Sequence, residues 1–192
     1  MILNFFLFLL FSFPQNEDKD FWYSKFLAAM YSHSGVSFNA LIDQKQFDLN
    51  SSISAYVEVI DSLHLLIEID EETIILSGDT IQTYNKKTNQ LIIDKLIDND
   101  VGIFSLLSGN MRQVEIINAI LHENSIQINF SFFSTGYNGF IEILKSGNPK
   151  RMRLKFSRDQ YIDVKINNFK IGEFQKYSSF NPSPKETINL YE

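Results

Sequence analysis

Between Lys145 and Arg158 the chain reads KSGNPKRMRLKFSR, six basic residues in fourteen with no acid among them. Arg151, Arg153 and Lys155 alternate with Met152, Leu154 and Phe156, so on a strand one face is basic and the other apolar. With Lys150 they form a stripe that stands out in a chain of net charge −6. Such a stripe can dock on anionic headgroups or on an acidic partner. A plainer reading stays open, in which the basic side chains guard a sheet edge.

Other reactive residue types are scattered. His33, His64 and His122 have no metal-ligand spacing. There is no glycine-rich phosphate loop and no G-x-S-x-G elbow. Asp70, Glu71 and Glu72 read as a solvated turn at a strand boundary. The Asp98-Asn99-Asp100 stretch has calcium-binding residue types, yet acids at a helix N-terminus explain it more simply. The absence of cysteine removes disulfides, thiolate metal sites, a cysteine nucleophile and lipidation on an N-terminal Cys. Net acidity counts against nucleic-acid binding. The expectation is a non-enzyme with no cofactor and no metal.

The elements around these residues are mostly short strands. "IILSGDTIQTYNKKTNQLII", residues 74–93, packs three apolar runs and two turns into twenty residues, with apolar side chains on both faces. A two-layer sheet needs only one such face. Before it, period-two patterns place Val36, Phe38, Ala40 and Ile42 on one side, then Ile53, Ala55, Val57 and Val59, then Leu63, Leu65, Ile67 and Ile69. After it come RQVEIINAIL, SIQINFSFF, GFIEILKSG, RMRLKFS and YIDVKINNFKI. About eleven strands at hairpin spacing predict a mainly β (α+β) fold with one curved antiparallel sheet. Two helices interrupt them: one over 20–33, with Trp22, Phe26, Ala29 and Met30 on one face, and a short one spaced by Val101, Phe104 and Leu107. Two short helices cannot wrap such a sheet, but they can plug its concave side.

The first fourteen residues, MILNFFLFLLFSFP, carry no charge and are too short to span a bilayer. Their length suits a signal peptide, so residues 1–15 are expected to be removed and 16–192 to form one domain of an exported protein. A buried first strand or helix is the other reading.

Together these pieces resemble the periplasmic outer-membrane lipoprotein carrier family, LolA. The segment DEETIILSGDTIQTYNKKTNQLIIDKL is similar to its strand–turn–strand signature through Ser77, Gly78 and Tyr84. DNDVGIFSLLSGN is similar to its lid helix through Leu106, Leu107, Ser108 and Gly109, and the C-terminal match is Phe180, Pro182 and Pro184. The family's Arg-Pro pair has no counterpart, since Ile60-Asp61 stands there, and the lid helix lacks its usual proline.

The resemblance implies an unclosed half-barrel whose concave apolar face is covered by helices. It also implies a monomeric periplasmic chaperone that shuttles acylated lipoproteins from an inner-membrane lipoprotein-releasing transporter to an outer-membrane acceptor. An acyl chain of about sixteen carbons has roughly 12 kcal/mol of burial at stake, at about 0.8 per CH₂. Leu63, Leu65, Ile67, Ile69, Tyr84, Phe104 and Leu107 are the candidate acyl-chain lining. Alternatives are a lipid- or partner-sensing regulatory domain on the same fold, and a β protein with a solid core that uses these residues as ordinary packing.

Overall fold

A computed structural model describes residues 16–97, 101–111, 114–172 and 175–191. The expected signal peptide and the acidic 98–100 stretch lie outside them. In chain order the elements are β1 (Asn16–Glu17), α1 (Lys19–Met30), β2 (Val36–Gln46), β3 (Leu49–Asp61), β4 (His64–Glu68), β5 (Glu72–Ser77), β6 (Thr80–Asn85) and β7 (Gln90–Lys95). Then follow α2 (Ile103–Ser108), β8 (Val114–Leu121), β9 (Ser125–Phe132), β10 (Asn138–Leu144), β11 (Pro149–Ser157), β12 (Gln160–Ile171), α3 (Lys176–Ser179) and β13 (Glu186–Asn189).

The described strands make one unclosed sheet in the order β1-β8-β9-β10-β11-β12-β2-β3-β4-β5-β6-β7-β13. Two antiparallel meanders, β2 to β7 and β8 to β12, are fused by the long β12–β2 pairing. The eleven expected strands are all present. Two short ones, β1 and β13, are added at the edges, and β13 runs parallel to β7 in a sheet that was expected to be antiparallel throughout. A parallel neighbour needs a long connection, and the chain from β7 to β13 traverses the whole second meander first.

One face of this sheet is apolar along its registered rows. A single row runs Ala119, Ile128, Ile141, Met152, Val164, Ile42 and Ile53 across seven strands. The row beside it holds Phe130, Gly139, Leu154 and Ile162. Nearly all these side chains belong to the buried core.

The helices cross this face because of what they connect. The chain must travel from β1 at one edge to β2 in the middle, and α1 makes that passage over β8, β9 and β11. It must also travel from β7 back to β8 near the opposite edge, and α2 lies on that route against β3 and β11. Asp18 starts α1 by accepting the backbone N–H groups of Asp20 and Phe21 at 3.1 Å. Phe26 and Met30 are its fully buried residues, and Trp22 packs half-buried beside them. At the exposed edge the Lys19 ammonium donates to the Ile116 carbonyl at 2.6 Å, which satisfies a group that β1 leaves uncovered.

Gly139 is hemmed in more closely than the other described glycines. A Cβ there would lie 1.9 Å from the Arg153 carbonyl oxygen and 2.7 Å from Phe130 Cζ. Gly139→Ala is expected to destabilise the fold by about 3 kcal/mol through overpacking, read as a lower urea midpoint with an unchanged slope.

Candidate functional site

The covered concave face brings together most of the residues singled out above. Leu65 and Ile67 on β4 are buried in its floor, and Leu107 on α2 is buried above it. Phe104 and Ile69 pack half-buried against the same core. Leu63 is half-buried in the β3–β4 turn, where its carbonyl accepts from Gly78. Cover thins towards one end: Ile53, in the same row as Ile42, is 38% exposed.

The covering helix α2 has little of its own to hold it. It is six residues long, starts at Gly102 without a side-chain cap and ends at Gly109 in the left-handed conformation at φ 71°. Helices this short do not persist in water alone, so its structure comes from packing. Leu106 and Leu107 supply that packing. Asn110 adds a hydrogen bond from its side-chain amide to the Ser62 carbonyl at 3.3 Å. Gly109 also seats α2 on α1, since a Cβ there would stand 3.3 Å from Met30 Cγ and 3.4 Å from Phe26 Cζ.

Tyr84 lies on the other face. Its registered neighbours are Thr73 and Leu91, its ring meets Phe180 edge-on at 6.5 Å, and its hydroxyl donates to Asn89 Oδ1 at 2.9 Å. The same outer face holds Leu66 and Ile75, both buried, and Phe180 stands over it. This accounts for strands that are greasy on both sides: one apolar face meets the helices, and part of the other meets the chain's own C-terminal segment.

Glu58 anchors that segment. It is fully buried on β3, and its carboxylate accepts the backbone N–H groups of Gln175, Lys176 and Tyr177 and the Tyr56 hydroxyl. The strand pattern put Glu58 opposite the core row, where a solvated acid is ordinary, so its burial was invisible until the distant segment was placed. Glu68 forms a second clamp, pairing with both Lys176 and Lys86. Hydrogen bonds from Lys176 and then Lys86 hold its carboxyl below the usual glutamate range, against a smaller opposing effect of burial. Two clefts flank this clamp. One of about 550 Å³ is lined by Asn39, Ser54, Tyr56 and Asp70; the other, of about 380 Å³, by Leu66, Thr73, Ser179 and Phe180.

The basic stripe is differently placed from the sheet-edge reading. β11 lies inside the sheet, between β10 and β12. Asp163 on β12, itself buried, faces it and takes two hydrogen bonds from Arg151 at 2.8 and 2.7 Å. Arg153 Nε stands 2.9 Å from the same carboxylate, without hydrogen-bond alignment, and its guanidinium lies 4.3 Å from the Tyr161 ring centroid. The hydrogen bonds that Arg151 donates to Asp163 raise its pKa above the ordinary value. Lys150 pairs with Glu142 at 2.9 Å, and Lys155 is exposed. Much of the stripe's charge is therefore answered within the sheet. Its acids come from neighbouring strands, beyond the reach of a local window.

Among the described residues no group of three His, Cys, Asp or Glu could hold a metal, and no helix is long and apolar enough to cross a membrane. His64 Nδ1 meets Asp61 at 2.9 Å. An unclosed sheet with helices laid across its apolar concave face is a half-barrel. No family model and no curated protein matches the chain in sequence. The fold is similar to an uncharacterized conserved protein from Thermus thermophilus, 11% identical with a TM-score of 0.57 over 90% of this chain and 99% of that one. It is also similar to a LolA superfamily protein from Nitrosomonas europaea, 8% identical with a TM-score of 0.50 over 86% of this chain and 98% of that one. At such identities the likeness establishes the fold, which is LolA-like.

Removing the anchor should free the C-terminal segment. Glu58→Ala leaves three amides without their acceptor and is expected to cost about 2–3 kcal/mol. Hydrogen exchange should then accelerate at residues 175–177 more than at the β2–β3 core. Acid should loosen the Glu68 clamp: a lowered folded pKa contributes stability in full above the ordinary glutamate value and loses it as pH falls through the folded one. Proteolysis within 178–190 is therefore expected to quicken as pH is lowered through that window, and Glu68→Gln should flatten the change.

Proposed function

We propose that this protein is an exported carrier that shields the acyl chains of lipoproteins between the concave face and its crossing helices, moving them from inner to outer membrane. The observation that carries the reading is that the apolar face is covered by helices on crossovers, and that the six-residue α2 can leave it without breaking a strand-to-strand hydrogen bond. Magnitudes favour exchange. Leu106, Leu107 and part of Phe104 give α2 about 6 kcal/mol of burial to hold it down. One acyl chain brings roughly 12 kcal/mol. A ligand can therefore displace the helix, and the helix's return favours release.

In this reading Leu65, Ile67 and Ile69 form the floor, Phe104 and Leu107 the removable roof, and Leu63 one end wall. Tyr84 serves the C-terminal segment instead. No bond is made or broken, so no catalytic group is needed. The charge-free N-terminal run supports export to the periplasm, and the LolA-like fold supports lipoprotein as cargo. The donor would be an inner-membrane releasing complex and the acceptor a site at the outer membrane.

Locking the two helices together tests this. A Cβ on Gly109 lies 3.5 Å from Met30 Cβ, within the range a disulfide spans, and the chain has no other cysteine. The double variant Met30→Cys/Gly109→Cys is expected to bind triacylated lipoprotein when reduced and to lose it when oxidised, by native mass spectrometry without detergent. Equal binding in both states, or a wild-type protein that stays free of lipid after incubation, would overturn the proposal.

A further inference from the structure

Three hairpin ends meet at one rim of the sheet. β9–β10, β11–β12 and β2–β3 are consecutive in the sheet order, and their turns stand at similar heights, because Asn138 pairs with Lys155 and Gln160 with Gln46. The Phe47 amide donates to the Asp159 carbonyl at 2.9 Å and ties two of these turns together. The β2–β3 hairpin projects beyond its neighbour, since β3 pairs with β4 only from Tyr56 onward.

This rim carries the most exposed aromatic side chain of the described chain's large apolar residues: Phe133 is 92% exposed in the β9–β10 turn. Leu49 is 74% and Phe47 65% exposed on the β2–β3 turn. Phe47 has φ of 56°, a left-handed backbone that asparagine or glycine adopts more readily than an aromatic. An aromatic kept in so unsuitable a position, with its ring in water, points to use of the ring itself. Residues 131–139 carry no charge, while Lys155 and Arg158 stand exposed beside them. Lys45 is paired with Asp159 at 3.3 Å, which leaves Asp48 as the other acid of these turns.

We infer that this rim docks the protein on an anionic membrane surface. The apolar side chains sit one or two to a turn, separated by Ser134, Thr135 and Asn138, and so form no continuous patch of the kind a protein interface uses. A lipid interface yields around separate wedges and places cations among its headgroups. Phe47, Leu49 and Phe133 are the wedges; Lys155 and Arg158 meet the phosphates. The same rim lies above the thinly covered end of the concave face, where Ile53 and Leu49 share one side of β3. The inference goes beyond the carrier reading and stands without it, because it concerns the empty protein and plain lipid.

The test places a reporter at the rim and another at the far end of the same strands. Phe133→Trp and Ile171→Trp are made separately in the full chain; Ile171 is also exposed but lies at the opposite end of β12. Each is mixed with vesicles of phosphatidylethanolamine and phosphatidylglycerol carrying brominated acyl chains. Quenching is expected for Phe133→Trp and absent for Ile171→Trp. The triple variant Phe47→Asn/Leu49→Ser/Phe133→Ser should partition onto such vesicles about tenfold more weakly than wild type. Its thermal unfolding should be little changed, because all three side chains are exposed and Asn suits the backbone at 47. Equal quenching at both positions, quenching at neither, or unchanged partitioning of the triple variant would overturn the inference; so would capture of the rim by a protein with vesicles left unbound.

Discussion

Every feature of this molecule answers to a sheet that does not close. A barrel hides its inner face by curling until its edges meet. Here β1 and β13 end the two sides without meeting each other, and the inner rows must find cover elsewhere. The connectivity supplies it. Because β1 and β2, and again β7 and β8, are far apart in the sheet, the chain must cross the concave side twice, and a helix forms on each crossing. Cover and connection are thus the same pieces of chain. The largest apolar surface in the molecule is guarded by elements that belong to no hydrogen-bond ladder.

The outer face obeys a different rule. There the cover is polar at its root: a buried carboxylate, Glu58, receives three main-chain amides and a tyrosine hydroxyl, and Glu68 joins two lysines. Directional bonds of this kind fix one position, whereas contacts of leucine with leucine tolerate sliding and replacement. The two faces therefore differ in what holds their covers. The inner one is held mainly by area, the outer one mainly by geometry.

Much of the fold was legible in the sequence because period-two alternation is local. Rows such as Val36 to Ile42 and Ile53 to Val59 announced their strands and faces, and Trp22 to Met30 and Val101 to Leu107 announced the helices. Pairing across distance was not legible. Nothing near β11 reveals that Asp163 will sit against Arg151 and Arg153, or that the strand is central. Tyr84 shows the limit most plainly. Alternation says that it opposes Thr83, but not which side is the concave one, and the aromatic partner that decides its role, Phe180, lies almost a hundred residues away. The parallel pairing of β13 was hidden for a similar reason, since proline-rich sequence before a short polar strand carries no mark of direction.

The seam between the two meanders has a bearing on when this chain can become itself. Ile42 pairs with Val164, and β2 cannot complete its ladder until β12 has been made. Contacts so distant in sequence are slow to find, because the loop between them must be closed before either strand gains from the pairing. The first meander leaves the ribosome with β2 as a bare edge, and α1 has little to lie on until β8, β9 and β11 arrive. A chain built in this order can pair the hairpins of its first meander early, but it joins the two halves of its sheet only after β12 has been made.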